Sequence, residues 1–253
     1  MNNKTTTLIG KSLLILEETD STNLFLQRIL KDSPVEGTVV WAKNQYAGKG
    51  YANAHWESEK SKNLTFSVLI YPKFLEPNHI FYLNKLTSLA IFKALKTYIP
   101  NEKIEIKWPN DILVNKKKIC GILIENNLDT RINSSIIGIG LNVNQLQFSS
   151  LIDYKTTSLK KITQHEYDLF ELLQEINYWL EYCYFLLKAN YWDTIDREYL
   201  QNLLGYQEVS QFKSYGRIFE ATIIGVHKDG RLALQENEGI KNYYFKEIEW
   251  NYS

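Results

Sequence analysis

Short apolar runs separated by polar clusters mark out most of this chain, and each run predicts an element. Residues 13–17 read as a strand. Asp20-Ser21-Thr22-Asn23 then supplies several N-cap residues, and Phe25/Ile29 and Leu26/Leu30 pair at i,i+4 behind them, so a short helix follows. Residues 38–42 form a buried strand. Residues 44–61 are rich in Gly, Ala, Asn and Ser and have no period, which predicts a long loop of the kind that usually carries function. Residues 64–71 are another strand. A helix starts at Pro77 and runs to about Tyr98, with Leu83, Thr87, Ala90 and Ala94 on one face. Strands follow at 104–108, 112–114 and 118–125, the last two joined by the lysine-rich turn Asn115-Lys116-Lys117, and then at 135–143. A long helix over 165–190 carries Leu169, Leu172, Leu173, Ile176, Leu180 and Tyr184 at helical spacing, and a second helical piece covers 194–204.

From about Gly205 the texture changes. Val209, 219–226, 232–234 and 243–248 read as short strands, with hairpin turns at Asp229-Gly230 and Glu238-Gly239. The expected organisation is a main α+β domain over 1–204 and a small all-β module over 205–253, too small to stand without leaning on its neighbour.

Composition narrows the function classes. Lys plus Arg is 29 and Asp plus Glu is 29, so the formal net charge is zero, which argues against a protein that coats nucleic acid. The apolar start is broken at Gly10, Lys11 and Ser12, too early for a signal peptide core, and no run is long enough for a membrane helix. A cytoplasmic location is the expectation. With no sign of export, Cys120 and Cys183, each beside apolar or aromatic residues, read as buried free thiols. His55, His79, His165 and His227 are scattered and suggest no metal cluster.

Candidate chemistry gathers in three segments. Gly48 and Gly50 flank Lys49, which lets backbone N–H groups and one charge approach an anion, though a flexible lysine-bearing turn has the same signature. In Lys107-Trp108-Pro109-Asn110-Asp111, Pro109 ends a strand, so Asn110 and Asp111 sit where the backbone turns. Asp111 reads as a turn cap or as a polar group facing phosphates and a metal. Lys118 opens an apolar strand, as a ligand contact or as a solvated turn lysine. Gly138 and Gly140 inside an apolar strand suggest close approach of another backbone or of a flat ligand.

Taken together, Asp20-Ser-Thr-Asn, Gln45-x-Ala-Gly-Lys-Gly, Trp56-x-Ser, Asn63-Leu, Lys107-Trp-Pro-Asn-Asp, Lys118-Ile-Cys-Gly-Ile-Leu-Ile-Glu125 and Gly138-Ile-Gly-Leu-Asn-Val resemble the biotin protein ligase family, the biotin–[acetyl-CoA-carboxylase] ligases. The resemblance covers essentially the whole chain, and the Lys-Trp-Pro-Asn-Asp block followed seven residues later by Lys-x-x-Gly is its most specific part. It implies a mixed sheet with flanking helices, similar to class II aminoacyl-tRNA synthetases, plus a small SH3-like barrel. With nineteen residues before Asp20, the expected form is catalytic only, without an N-terminal DNA-binding domain.

The resemblance also implies a two-step reaction. Biotin attacks the α-phosphate of ATP to give biotinyl-5′-AMP and pyrophosphate, and a lysine of a biotin carboxyl carrier protein then takes the biotinyl group. That acceptor would belong to acetyl-CoA carboxylase or another biotin-dependent enzyme. By the same pattern Ser21, Thr22 and Asn23 would hydrogen-bond the biotin ureido ring, Gln45 would line the same pocket, and Gly121 would belong to the biotin site. Gly48, Lys49, Gly50 and Tyr51 would sit on the loop that closes over biotin and the phosphate. Lys118 would be the main catalytic residue, with Lys107, Asn110 and Asp111 shaping the phosphate and Mg²⁺ region. Trp56 would pack beside the adenine and Asn142 would contact it. The enzyme needs no nucleophile of its own, so Cys120 reads as a small core residue. The family occurs as monomers and homodimers, and neither a nucleic-acid nor a membrane partner is expected.

The loop departs from the family's Gly-Arg-Gly-Arg-x-Gly or Gly-Arg-Gly-Gln-x-Gly. Lys49 keeps a charge without the bidentate fork, Tyr51 replaces a long polar or cationic side chain, and Asn53 replaces a glycine. A weaker hold on the adenylate is the consequence expected. Two rival readings differ in class: a lipoate or octanoate ligase-like enzyme, and a degenerate biotin- or carrier-binding protein without turnover. The Lys-Trp-Pro-Asn-Asp block speaks against the first. The presence of Lys107, Asp111, Lys118 and Gly121 speaks against the second.

Overall fold

The structure is a computed structural model and describes residues 5–50 and 55–251. Among the described residues the chain forms a seven-stranded mixed sheet, a five-stranded antiparallel sheet and five α-helices. The first sheet contains β1 (Leu13–Leu16), β2 (Val39–Ala42), β3 (Leu64–Ile70), β4 (Ile104–Lys107), β5 (Asp111–Val114), β6 (Lys117–Leu128) and β7 (Ile132–Leu141). Its order is β1-β2-β3-β7-β6-β5-β4. The β1–β2 pair is parallel, with α1 (Thr22–Ile29) in the crossover, and the other neighbours are antiparallel.

Side-chain alternation divides this sheet into two unlike faces. On β3, Leu64, Phe66, Val68 and Ile70 enter the main core, which also holds α2 (Tyr82–Tyr98), α4 (Leu169–Lys188) and α5 (Trp192–Gln201). Leu69 points the other way and packs with Leu26 of α1, Val40 and Ile136 in a small second core. The remaining positions on that second face are Thr65 and Ser67 on β3 and Gly138 and Gly140 on β7, so beside α1 the sheet is polar and open. The main core packs against one face; the second face is left with room for a site.

Some boundaries move from expectation, for local reasons. The long helix starts at Leu169 and not at 165, because the Asp168 carboxylate accepts from the N–H groups of Phe170 (2.7 Å) and Glu171 (2.9 Å) and caps it there. Pro77–His79 is a separate 3₁₀ turn before α2. A short helix, α3 (Leu159–Thr163), capped by Ser158, lies in a stretch with no expected element. Asn115 and Lys116 both take positive φ, the geometry of a two-residue hairpin turn. Both cysteines are buried and free. No described helix is long and apolar enough to cross a membrane.

The second sheet is built from β8 (Val209–Ser214), β9 (Arg217–Val226), β10 (Leu232–Glu236), β11 (Gly239–Tyr243) and β12 (Glu249–Trp250), in the order β11-β10-β9-β8-β12. The strand expected at 243–248 is instead a turn: Lys246 has positive φ, and the Tyr244 N–H is held by the Glu247 carboxylate at 2.7 Å. This sheet is fastened to the main body at the Asp229-Gly230 turn. The indole of Trp108 donates to the Gly230 carbonyl at 2.9 Å, and Gly230 has φ +93° with Phe81 packed where a Cβ would be. Nearby, the fully buried Lys85 of α2 bridges Asp196 of α5 (2.6 Å) and the Val226 carbonyl (3.0 Å). Trp108→Phe keeps an aromatic ring and strands the Gly230 carbonyl, so a loss of about 1–3 kcal/mol is expected in urea unfolding. An unchanged midpoint would show that the indole bond does not fasten the two sheets.

Candidate functional site

A cavity of about 320 Å³ lies on the α1 side of the first sheet. Its floor follows from strand register. Gly121 of β6 faces Gly140 of β7 and Asp111 of β5, and Leu123 faces Gly138. Paired residues on neighbouring strands share a face, so three glycines and Asp111 lie side by side where bulkier residues would fill the space. The indole of Trp56 rests on this floor: a Cβ on Gly140 would come within 2.7 Å of its Cζ2 and Nε1, and one on Gly121 within 3.0 Å of its Cζ3. Trp56 Nε1 is buried with no hydrogen-bond partner among the described residues.

One end of the cavity is made by the start of α1. Ser21, Thr22, Asn23 and Gln45 all line it. The Gln45 side chain serves as an external cap, its Oε1 accepting from the Thr22 N–H at 2.7 Å. Asp20 fixes the same turn from outside. It accepts from the Ser21 N–H (2.7 Å), the Thr19 hydroxyl and both terminal nitrogens of Arg28, and hydrogen bonding to Arg28 holds its carboxyl well below the usual carboxylate range.

The other end is cationic. Lys107, Asp111 and Lys118 line it, with Lys118 Nζ 2.7 Å from Asp111 and 5.5 Å from the centre of the Trp56 ring. A β-bulge explains how Lys118 gets there. Leu113 pairs with Lys118 but Ile112 pairs with Cys120, so Ile119 is an extra residue and both Ile119 and Cys120 turn into the main core. Lys118 thereby joins the face of Asp111 and Gly121. Burial is the largest influence on Lys107 and pulls its ammonium below the ordinary lysine value, while Asp111 acts in the opposite direction. Asn110 also lines the cavity, but its side-chain amide and its carbonyl are both bonded to Ile122, at 2.7 and 2.9 Å, so it works as the brace of the turn that presents Asp111. Burial pushes the Cys120 thiol far up, which suits a core residue and not a nucleophile.

Lys49 and Gly50 line the cavity mouth, whereas Gly48 is buried just behind it against Trp56 and Gln45. Asn142 is not in the lining. It is 2% exposed, bonded to Thr157 through Nδ2, and its Oδ1 has no partner among the described residues. Tyr51 and Asn53 lie outside the described residues. Sequence reasoning gives no site role to Phe245, His55 or Trp108, which also line the cavity, nor to Ser67 and Glu125, which back it, although Trp108 and Glu125 fall inside the quoted motifs. Phe245 comes from the second sheet's turn and stands 6.0 Å from the Trp108 ring; nothing in its own segment signals this. Ser67 carries a signal: with Thr65 it is one of two hydroxyls at alternate positions of a largely apolar strand.

Residues 15–142, just over half of the chain, match the family described as Biotin/lipoate A/B protein ligase family. The chain is 29% identical to the Bifunctional ligase/repressor BirA of Bacillus subtilis over 247 residues, covering 96% of this chain and 75% of that protein. It is 28% identical over 138 residues to the Biotin--[acetyl-CoA-carboxylase] ligase of Mycobacterium tuberculosis, 53% of this chain and 50% of that one. Among solved structures, the biotin protein ligase from Aquifex aeolicus in complex with biotin and ATP superposes with a TM-score of 0.81 at 27% identity, over 96% of this chain and all of that one. With the matched segment running from β1 through the glycine floor to Asn142, the chain belongs to the biotin/lipoate A/B protein ligase family.

Proposed function

We propose that this protein is an ATP-dependent biotin protein ligase that forms biotinyl-5′-AMP, releases pyrophosphate, and passes the biotinyl group to a lysine of a biotin carboxyl carrier domain. The observation that carries this reading is one cavity with two unlike ends, joined by a flat glycine floor under a tryptophan. The α1 end offers uncharged hydrogen-bonding groups, which suits a ureido ring. The far end offers lysines around one carboxylate, which suits phosphates. The floor suits a flat ring laid against Trp56, and the unpartnered Asn142 Oδ1 suits an adenine amino group once the ligand reaches it.

Both steps ask for positioning and charge stabilisation and for no protein nucleophile. Lys118, at the cationic end beside Asp111 and Trp56, neutralises the biotin carboxylate as it approaches the α-phosphate and then the oxygens of that phosphate. Lys107 and Lys49 add charge where pyrophosphate departs. Among the described residues no group of three or more His, Cys, Asp and Glu side chains is placed to hold a metal, and a lone carboxylate among lysines does not make a site for a bare cation. Mg²⁺ in this reading enters bound to ATP as part of the substrate, with Asp111 able to offer it one oxygen. The second sheet, residues 205–253, is read as an SH3-like barrel domain beside a synthetase-like catalytic domain of residues 1–204.

The test is a transfer assay with purified protein, biotin, Mg-ATP and a biotin carboxyl carrier domain, read by mass spectrometry. A biotin-sized gain on the carrier is expected. Lipoate in place of biotin should give none. Absence of both the gain and pyrophosphate release would leave the binding-only reading.

A further inference from the structure

Behind the α1 end of the cavity runs a chain of hydrogen bonds whose direction can be read atom by atom. Asn23 Nδ2 lies 2.7 Å from Glu125 Oε2 and 3.3 Å from the Leu123 carbonyl. A carboxylate and a carbonyl only accept, so this edge of the Asn23 amide must be its NH₂ group. The Asn23 Oδ1 is therefore the atom 2.6 Å from the Ser67 hydroxyl, and the Ser67 proton must point at it. Ser67 in turn can only accept from Thr22, whose Oγ1 stands 2.6 Å away. The Gln45 Oε1, 3.1 Å from Thr22 Oγ1, is already fixed as an oxygen by the Thr22 N–H. The single hydroxyl proton of Thr22 thus has two acceptors inside the protein. Towards the cavity Thr22 has only lone pairs to offer.

We infer that Ser67 and Glu125 are positioning residues that lock the Thr22 hydroxyl as an acceptor, so that this end of the cavity takes a ligand N–H and not a ligand oxygen. The inference rests on the reading of the α1 end as the seat of a ureido ring. Glu125, with the more distant Leu123 carbonyl, sets the polarity because neither can donate, and Ser67 transmits it. Ser67 is fully buried and neither residue lines the cavity, so both act through Thr22 and Asn23. The site discriminates because a ligand that presents an oxygen there would face lone pairs with no proton between them.

The test uses the full chain and two near-isosteric variants, Glu125→Gln and Ser67→Ala, read by biotin-dependent pyrophosphate exchange. With Gln, the Asn23 amide can turn over, the Ser67 proton turns back to Thr22, and a lone pair meant for the ligand is used up. With Ala the relay is cut and the Thr22 proton keeps only the longer 3.1 Å acceptor, Gln45 Oε1, so its direction is held more loosely. Each single change is expected to raise the biotin KM about tenfold while the ATP KM stays within about twofold. The two effects share one path, so the double variant should be little worse than either single variant. Unchanged biotin KM in both variants overturns the assignment. So does a parallel rise in both KM values with a lowered melting temperature, which would mark a general structural role. No biotin-dependent exchange in the unmodified protein would overturn the ureido reading itself, and the roles of Ser67 and Glu125 with it.

Discussion

Replacing Lys118 by alanine is expected to slow biotin-dependent pyrophosphate exchange by about 10²-fold or more, the scale of losing one preorganised charge contact at a developing negative centre. The geometry makes the loss hard to repair. Lys118 reaches the cavity through a bulge that turns both Ile119 and Cys120 into the core, so neither of them can swing into its place. Its backbone is held by the Thr157 N–H, at 2.9 Å, and its ammonium by Asp111, at 2.7 Å. Gly121 leaves it room, since a Cβ there would lie 3.1 Å from Nζ. Lys107 cannot take over: it sits on β4, two strands further out than Lys118, paired with Asp111 across β4 and β5, and burial pulls its ammonium below the ordinary lysine value. The fold should survive, because the Lys118 side chain is 35% exposed and its pair with Asp111 contributes about 1 kcal/mol at most. A Lys118→Ala protein that melts normally and exchanges pyrophosphate at near-normal rate would remove Lys118 from the chemistry.

What can be read in advance follows from which information is local. The strands of the first sheet are legible as short apolar runs bounded by polar clusters, β2 and β3 being buried throughout, and α1 because Asp20-Ser-Thr-Asn announces a helix start. Caps set the boundaries that move: Asp168 takes two backbone N–H groups and starts α4 four residues later than periodicity suggests. The strand expected at 243–248 fails for a similar reason, since the positive φ of Lys246 is invisible in a run of Tyr, Phe and Ile. In the site, the glycines and lysines stand out by type. Their register does not: that Gly121, Gly140 and Asp111 share one row depends on strand pairing across the sheet and on one bulge. Phe245 is the extreme case, brought to the cavity by a turn of the second sheet more than a hundred residues from the Trp108 it packs near. Asn142 is expected from its motif to touch the adenine, and the structure places it behind the lining, 2% exposed and bonded to the Thr157 carbonyl.

Two alanine substitutions, two residues apart on β7, should separate the ends of the cavity. A Cβ on Gly138 would press into the Asn23 amide, 3.0 Å from Cγ and inside contact of Oδ1; one on Gly140 would press into the Trp56 indole. Neither neighbour can yield cheaply. Asn23 is 2% exposed and tied to Ser67 and Glu125, and Trp56 is wedged between the floor and Gly48. Overpacking of this kind costs about 1–3 kcal/mol, or roughly 10- to 10²-fold when it falls on one binding step. Gly138→Ala is therefore expected to raise the biotin KM on that scale with the ATP KM little changed. Gly140→Ala is expected to do the reverse, since Trp56 would be lifted off the surface on which the nucleotide ring is to lie. The added methyl meets these neighbours with or without ligand, so thermal stability should also fall, by up to the same scale of about 1–3 kcal/mol, and it is the split between the two KM values that separates the ends. Steady-state kinetics with one substrate varied at a time decides the matter. If both substitutions raised the same KM, or raised both equally, the cavity would hold one ligand across its whole length, and the division between a ureido end and a nucleotide end would be wrong.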